Sequence, residues 1–112
     1  MWGSMLDKIS QLVDAQKQND HTLVREFLDD RWSTVREVAV AVLAEIGNKE
    51  DVPHMLKMTA DTHSSVRLAA IYGLENIADK SVIPNLERML KSPQRADIKK
   101  ALKVVIDRLA KK

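Results

Sequence analysis

The chain contains no cysteine. That excludes disulfides, thiolate nucleophiles and thiolate metal sites, and it fits a reducing, cytoplasmic compartment. Aromatic residues are scarce, at 4%, so aliphatic side chains and alanine must supply the core. No apolar run approaches the roughly 20 residues that span a bilayer. The N-terminus lacks the basic start and continuous apolar stretch of a secretory signal. No membrane partner is expected, and no linker long enough to divide domains occurs. Met1-Trp2-Gly3-Ser4 reads as a remnant of expression cloning with Met5 as the natural start, so Trp2 carries no functional weight in this reading.

What remains is an ordinary globular balance, 45% hydrophobic and 30% charged, in a length that suits one domain over residues 5–112. The formal charge of +2 hides an asymmetry. Residues 91–112 hold eight basic and two acidic side chains, +6, and the rest holds ten basic and fourteen acidic, −4. The chain is mildly acidic with a basic end.

The sequence repeats itself. Residues 33–47 (STVREVAVAVLAEIG) return at 64–78 (SSVRLAAIYGLENIA), an offset of 31 positions, and more weakly at 96–110 (ADIKKALKVVIDRLA), 32 further on. In the first copy Val35, Val38, Ala39, Val42, Leu43 and Ile46 fall on one helical face. Valine and isoleucine are only moderate helix formers, so burial must carry these helices. Thr34 with Glu37 suggests a capping box at the start, with Ser33 as a rival cap, and Ser64-Ser65 suggest the same for the second copy. Gly47-Asn48 suits a helix end.

A shorter helix precedes each copy. Leu23, Val24, Phe27 and Leu28 form the first. His54 to Ala60 forms the second, with Met55, Met58 and Thr59 inward, and Pro84 to Lys91 the third, with Leu86, Met89 and Leu90 inward. Pro53 and Pro84 occupy equivalent first-turn places, where a missing N–H costs nothing. One more helix, over 5–17, carries Met5, Ile9, Leu12 and Val13. Neither helix of a hairpin buries its face alone; stacking hairpins buries a shared core, with polar caps at the ends. The repeats run over about 20–47, 51–78 and 81–111, and 5–17 is the N-terminal cap.

The paired helices, the Val-Arg at the start of each second helix, the downstream A-x-x-x-L-x-x-I pattern and the preceding Asp30 and Asp61 resemble HEAT-like repeats. The short period resembles the subclass first described in phycobilisome lyases. The resemblance implies an all-α, right-handed α-solenoid whose second helices line the concave face. It implies a protein partner, with nucleic acid or an enzyme's accessory role as alternatives, since a fold does not choose its function. The third repeat departs from the pattern: Ser92-Pro93 stands where Asp is expected, and Lys99 replaces Arg.

No catalytic constellation is legible. His21, His54 and His63 are followed by Thr, Met and Ser, so the His-Glu dipeptides of HEAT-like iron hydroxylases are absent, and no metal or cofactor is expected. Asp30 and Asp61 are read as acceptors for turn amides or as partners of Arg36 and Arg67. Trp32 is read as a lid on its hairpin, and Gly73, mid-helix, as a point of close helix approach. Subtracting core positions from the second helices leaves Leu68, Ile71 and Tyr72, beside Val40 and Ala41, as an apolar strip for a protein partner or for self-association, with Arg36 and Arg67 at its rim. The nucleic-acid alternative uses Lys99, Lys100, Lys103 and Arg108, but the other repeats do not continue that charge and stacking aromatics are missing.

Overall fold

The computed structural model describes residues 4–112, so Met1, Trp2 and Gly3 of the expected cloning remnant lie outside the described residues. Seven helices follow: α1 (Met5–Gln18), α2 (His21–Phe27), α3 (Ser33–Ile46), α4 (Val52–Met58), α5 (Ser64–Ile77), α6 (Ile83–Leu90) and α7 (Ala96–Ala110). Short 3₁₀ turns, Lys49–Asp51 and Lys80–Val82, lead into α4 and α6. The long helices α1, α3, α5 and α7 pack side by side in one row, and each of α2, α4 and α6 packs on the long helix that follows it. The result measures 43 × 26 × 16 Å, the elongated shape of hairpins stacked on their neighbours.

Repeat-equivalent positions fill the core. Val35, Val66 and Ile98 are fully buried, as are Ala39, Ala70 and Leu102. Across each hairpin, size is balanced: Val24 and Val42 in the first, Met55 and Gly73 in the second, Leu86 and Val105 in the third occupy equivalent places. A Cβ on Gly73 would lie 3.0 Å from Met55 Cε and 3.2 Å from Ala44 Cβ. The glycine is therefore the small half of a pair whose other half is a methionine, as the expected close approach requires.

The helix ends differ from the sequence expectation. Trp32 and His63 are the N-caps of α3 and α5, and no side chain caps either helix. Ser33, Thr34, Ser64 and Ser65 lie inside or at the first turn instead. The cause is one residue pair upstream: the Asp30 carboxylate accepts the Trp32 N–H and the Asp61 carboxylate the His63 N–H, both at 2.9 Å. Those aspartate turns fix the entry to each helix. Gly47 ends α3 in an extended conformation, φ −67°, and the left-handed helix end belongs to Asn19 after α1, φ 57°. Ser4, placed by sequence in the cloning remnant, caps α1 by accepting the Asp7 N–H at 3.2 Å. Pro53 and Pro84 sit in the first turns of α4 and α6 as expected.

Candidate protein-interaction face

α3 has neighbours on three sides: α1, α5 and α2. Only the face turned away from α2 is left to solvent, and there Thr34, Glu37, Ala41 and Glu45 are exposed at helical spacing. The equivalent positions on α5 are Ser65, Leu68, Tyr72 and Asn76, and on α7 Asp97, Lys100, Val104 and Arg108. α1 joins through its pairing: Lys8 on α1 grips Asp30 as Arg36 on α3 grips Asp61, which aligns Val13 with Ala41.

One row across the four helices is therefore apolar: Val13, Ala41, Tyr72 and Val104. Val13 is 44% exposed, Tyr72 is 42% exposed, Ala41 is exposed and Val104 half-buried. Half-buried Ile9 and Leu68 adjoin it, separated by exposed Glu37 and followed by exposed Lys100. At the open end of α1, Leu6 is 76% exposed, so this cap is less polar than a terminal repeat was expected to be.

This corrects the strip read from the sequence. Val40 and Ile71 are fully buried, because α3 and α5 are each covered by neighbouring helices on three sides. Neither is available to a partner in the folded chain. Tyr72 is where it was expected, and Leu68 is half-buried beside it. Trp32 is 42% exposed and lies under the Arg31 guanidinium, 5.0 Å from ring centroid to cation.

The expected arginines divide. Arg36 donates from Nε and Nη2 to the Asp61 carboxylate at 2.8 and 3.1 Å, and from Nη1 to the Asp30 carbonyl at 2.8 Å. Arg67 repeats only the last contact, Nη1 to the Asp61 carbonyl at 2.8 Å. Thus Asp30 and Asp61 do accept turn amides, but each pairs with the base of the preceding long helix. Burial pushes the Asp61 carboxyl up, yet hydrogen bonds from Arg36 and from the His63 N–H outweigh it and hold it below the usual carboxylate value. The same balance, with Lys8 and the Trp32 N–H, lowers Asp30.

A second cluster was not legible in the sequence. Asp51 is fully buried and accepts His21 Nδ1–H at 2.6 Å, Arg25 Nε–H at 2.7 Å and the Asn48 N–H at 3.1 Å. Burial pushes its carboxyl up, but the bonds from His21, Arg25 and Asn48 hold it low. An ionised carboxylate only accepts, so the His21 proton sits on Nδ1. The one available signal was the repeat itself, which sets Asp51 at the place of the α2 cap Asp20.

At the basic end, Lys99, Lys100 and Lys103 are exposed and without a carboxylate partner among the described residues. Arg108 is tied to Glu75 at 3.0 Å, so it stands apart from those three. Lys112 reaches the Glu75 and Ala78 carbonyls and closes the C-terminus of α5. Among the described residues no three His, Asp or Glu side chains cluster to hold a metal ion. No helix there is long and apolar enough to cross a membrane. In comparison with known proteins, the profile of HEAT repeats matches residues 10–106. No curated protein matches the chain.

Proposed function

The chain belongs to the HEAT-repeat family, and on that premise we propose that it is a non-catalytic module holding another protein against the outward face of its long helices. HEAT repeats are in general protein-interaction scaffolds. The observation that carries the reading is the apolar row Val13, Ala41, Tyr72 and Val104, at equivalent positions on α1, α3, α5 and α7 and exposed or half-buried at each. A monomer gains nothing by exposing apolar side chains in line, and such rows mark interaction surfaces. Tyr72 is the anchor: it offers a large rigid ring with a polar tip at the centre of the row. Leu68 widens its base. In this reading the outward face is the concave one and wraps the partner, and the lack of cysteine fits a module working in the cytoplasm.

Tagged protein retained on resin in lysate of its source, with and without nuclease, tests this. A stoichiometric protein that survives nuclease and is lost with Tyr72→Glu, a variant that melts like the parent, is the expected result. Retention unchanged by Tyr72→Glu overturns it. Self-association through the same row appears as a dimer in sedimentation that the same variant dissolves.

A nucleic-acid reading has one observation in its favour, the exposed Lys99, Lys100 and Lys103 on α7, which have no carboxylate partner among the described residues. Under it, capture disappears with nuclease and with Lys100→Glu plus Lys103→Glu, and retention falls steeply with salt as counterion release requires.

A further inference from the structure

Two latches join the first repeat to the second, and each has an equivalent place between the second and the third. In the first latch, His21 and Arg25 of α2 hold Asp51. Its equivalents further on are Val52, Leu56 and Val82. Donors and acceptor are all replaced by apolar side chains, so no polar group is stranded. In the second latch Arg36 holds Asp61. Its equivalents are Arg67 and Pro93. Here the acid is gone and the base stays.

The retained base is also kept in place. Arg67 is half-buried, and its Nη1 is fastened to the Asp61 carbonyl at 2.8 Å, as the Nη1 of Arg36 is fastened to the Asp30 carbonyl at 2.8 Å. On Arg36 the remaining fork, Nε and Nη2, grips a carboxylate at 2.8 and 3.1 Å. On Arg67 that fork meets no side-chain acceptor among the described residues. The surroundings change sign in the same direction. The 430 Å³ hollow beside Arg36 is lined by Asp29, Asp30 and Asp61 together with Lys57. The 290 Å³ hollow between α4 and α6, which Arg67 itself does not line, keeps the equivalent base, Arg88, and has no acidic side chain.

We propose that the Arg67 guanidinium is a recognition site for a carboxylate of the partner, an aspartate or glutamate side chain presented beside the turn between α6 and α7. A planar fork fixed at one nitrogen is pre-organised for two parallel bonds to a carboxylate. Little side-chain freedom remains to be lost on binding. The chain itself shows the bound form one repeat earlier, in Arg36 and Asp61. Taking a protein as the source of the carboxylate rests on the protein-binding reading; the fork does not depend on the apolar row.

The test reads Arg67 directly. The Nε–H signals of the arginines are followed by NMR while the folded protein is titrated with a blocked Gly-Asp-Gly peptide, its Gly-Asn-Gly counterpart, or inorganic phosphate. The expected result is a saturable shift of the Arg67 signal with the aspartyl peptide, absent with the asparaginyl one, while the Arg36 signal stays still. In Arg67→Lys, followed through the backbone amide of Leu68 because the Nε–H reporter is gone, the peptide's effect weakens at least about tenfold, since the fork is lost and the charge kept. Pro93→Asp restores the missing acid within the chain: it raises the melting temperature and abolishes the peptide response. No shift of Arg67, an equal shift with the asparaginyl peptide, or a response to phosphate alone overturns the proposal. Each of these outcomes is separable from the fate of the Tyr72→Glu capture experiment.

Discussion

Replacing Asp51 by valine removes the acceptor at the centre of the first latch. Asp51 is fully buried and takes bonds from His21 at 2.6 Å, Arg25 at 2.7 Å and the Asn48 N–H at 3.1 Å. Removing one member of a buried charge pair costs about 3–5 kcal/mol. Arg25 keeps 31% side-chain exposure and can turn to water, which places Asp51→Val near the low end, about 3 kcal/mol. Losing the bond to Asn48, half of a capping box, adds about 1 kcal/mol. Against a total of about 5–15 kcal/mol for a domain, that is a large loss. It lowers the melting temperature by roughly 15–30 °C at this chain length. The triple variant His21→Val, Arg25→Leu, Asp51→Val installs the apolar set that the chain already uses at Val52, Leu56 and Val82. It strands no side-chain donor and leaves only the N–H of exposed Asn48 without its acceptor, so its stability returns to within about 2 kcal/mol of the parent. Urea unfolding followed by far-UV circular dichroism measures both. A single variant within about 1 kcal/mol of the parent, or a triple variant as unstable as the single, would refute the reasoning.

Ile71→Ala, at a fully buried position, costs about 2–5 kcal/mol of unfolding free energy, while Tyr72→Ala next to it stays within about 1 kcal/mol; equal losses in urea titrations would contradict the inward facing of Ile71 and the outward facing of Tyr72. Asp30, Asp51 and Asp61 all hold their protons more weakly when folded than when unfolded. Their contribution is therefore complete above the ordinary aspartate value of about 3.9 and is lost as pH falls through the lower folded values, so the urea midpoint declines below about pH 5. A flat midpoint across that acid range counts against the latches, and Asp61→Asn is expected to shallow the decline. Gly73→Val drives methyls into Met55 and Ala44, 3.0 and 3.2 Å from the position of a Cβ, and costs about 1–3 kcal/mol. Adding Met55→Val recreates the Val24 and Val42 pairing of the first hairpin and recovers most of the loss; no recovery would show that the two positions are not coupled.

The 31-residue offset was enough to find the helices, their pairing and the rows Val35, Val66, Ile98 and Ala39, Ala70, Leu102 that fill the core. Those features follow from local spacing and from the need of each hairpin to bury a face, and both can be read along one dimension. The prolines in the first turns of α4 and α6 and the tight fit at Gly73 were legible for the same reason. Tertiary structure decided which apolar residues remain outside. Subtracting one apolar face treats a long helix as buried on one side, but α3 and α5 are covered on three. Val40 and Ile71 are thereby drawn into the core while Ala41 and Tyr72, one residue and about 100° further round, stay in solvent. Pairing was legible only in part. Arg36 and Arg67 were expected to hold Asp30 and Asp61, and Arg36 does hold Asp61, but Asp30 takes Lys8 of the preceding helix, and Asp51 gathers His21 and Arg25 from 30 and 26 residues away. Spacing within a helix fixes what shares its face. What meets across the stack depends on how neighbouring repeats settle against one another, and only the packed structure sets that.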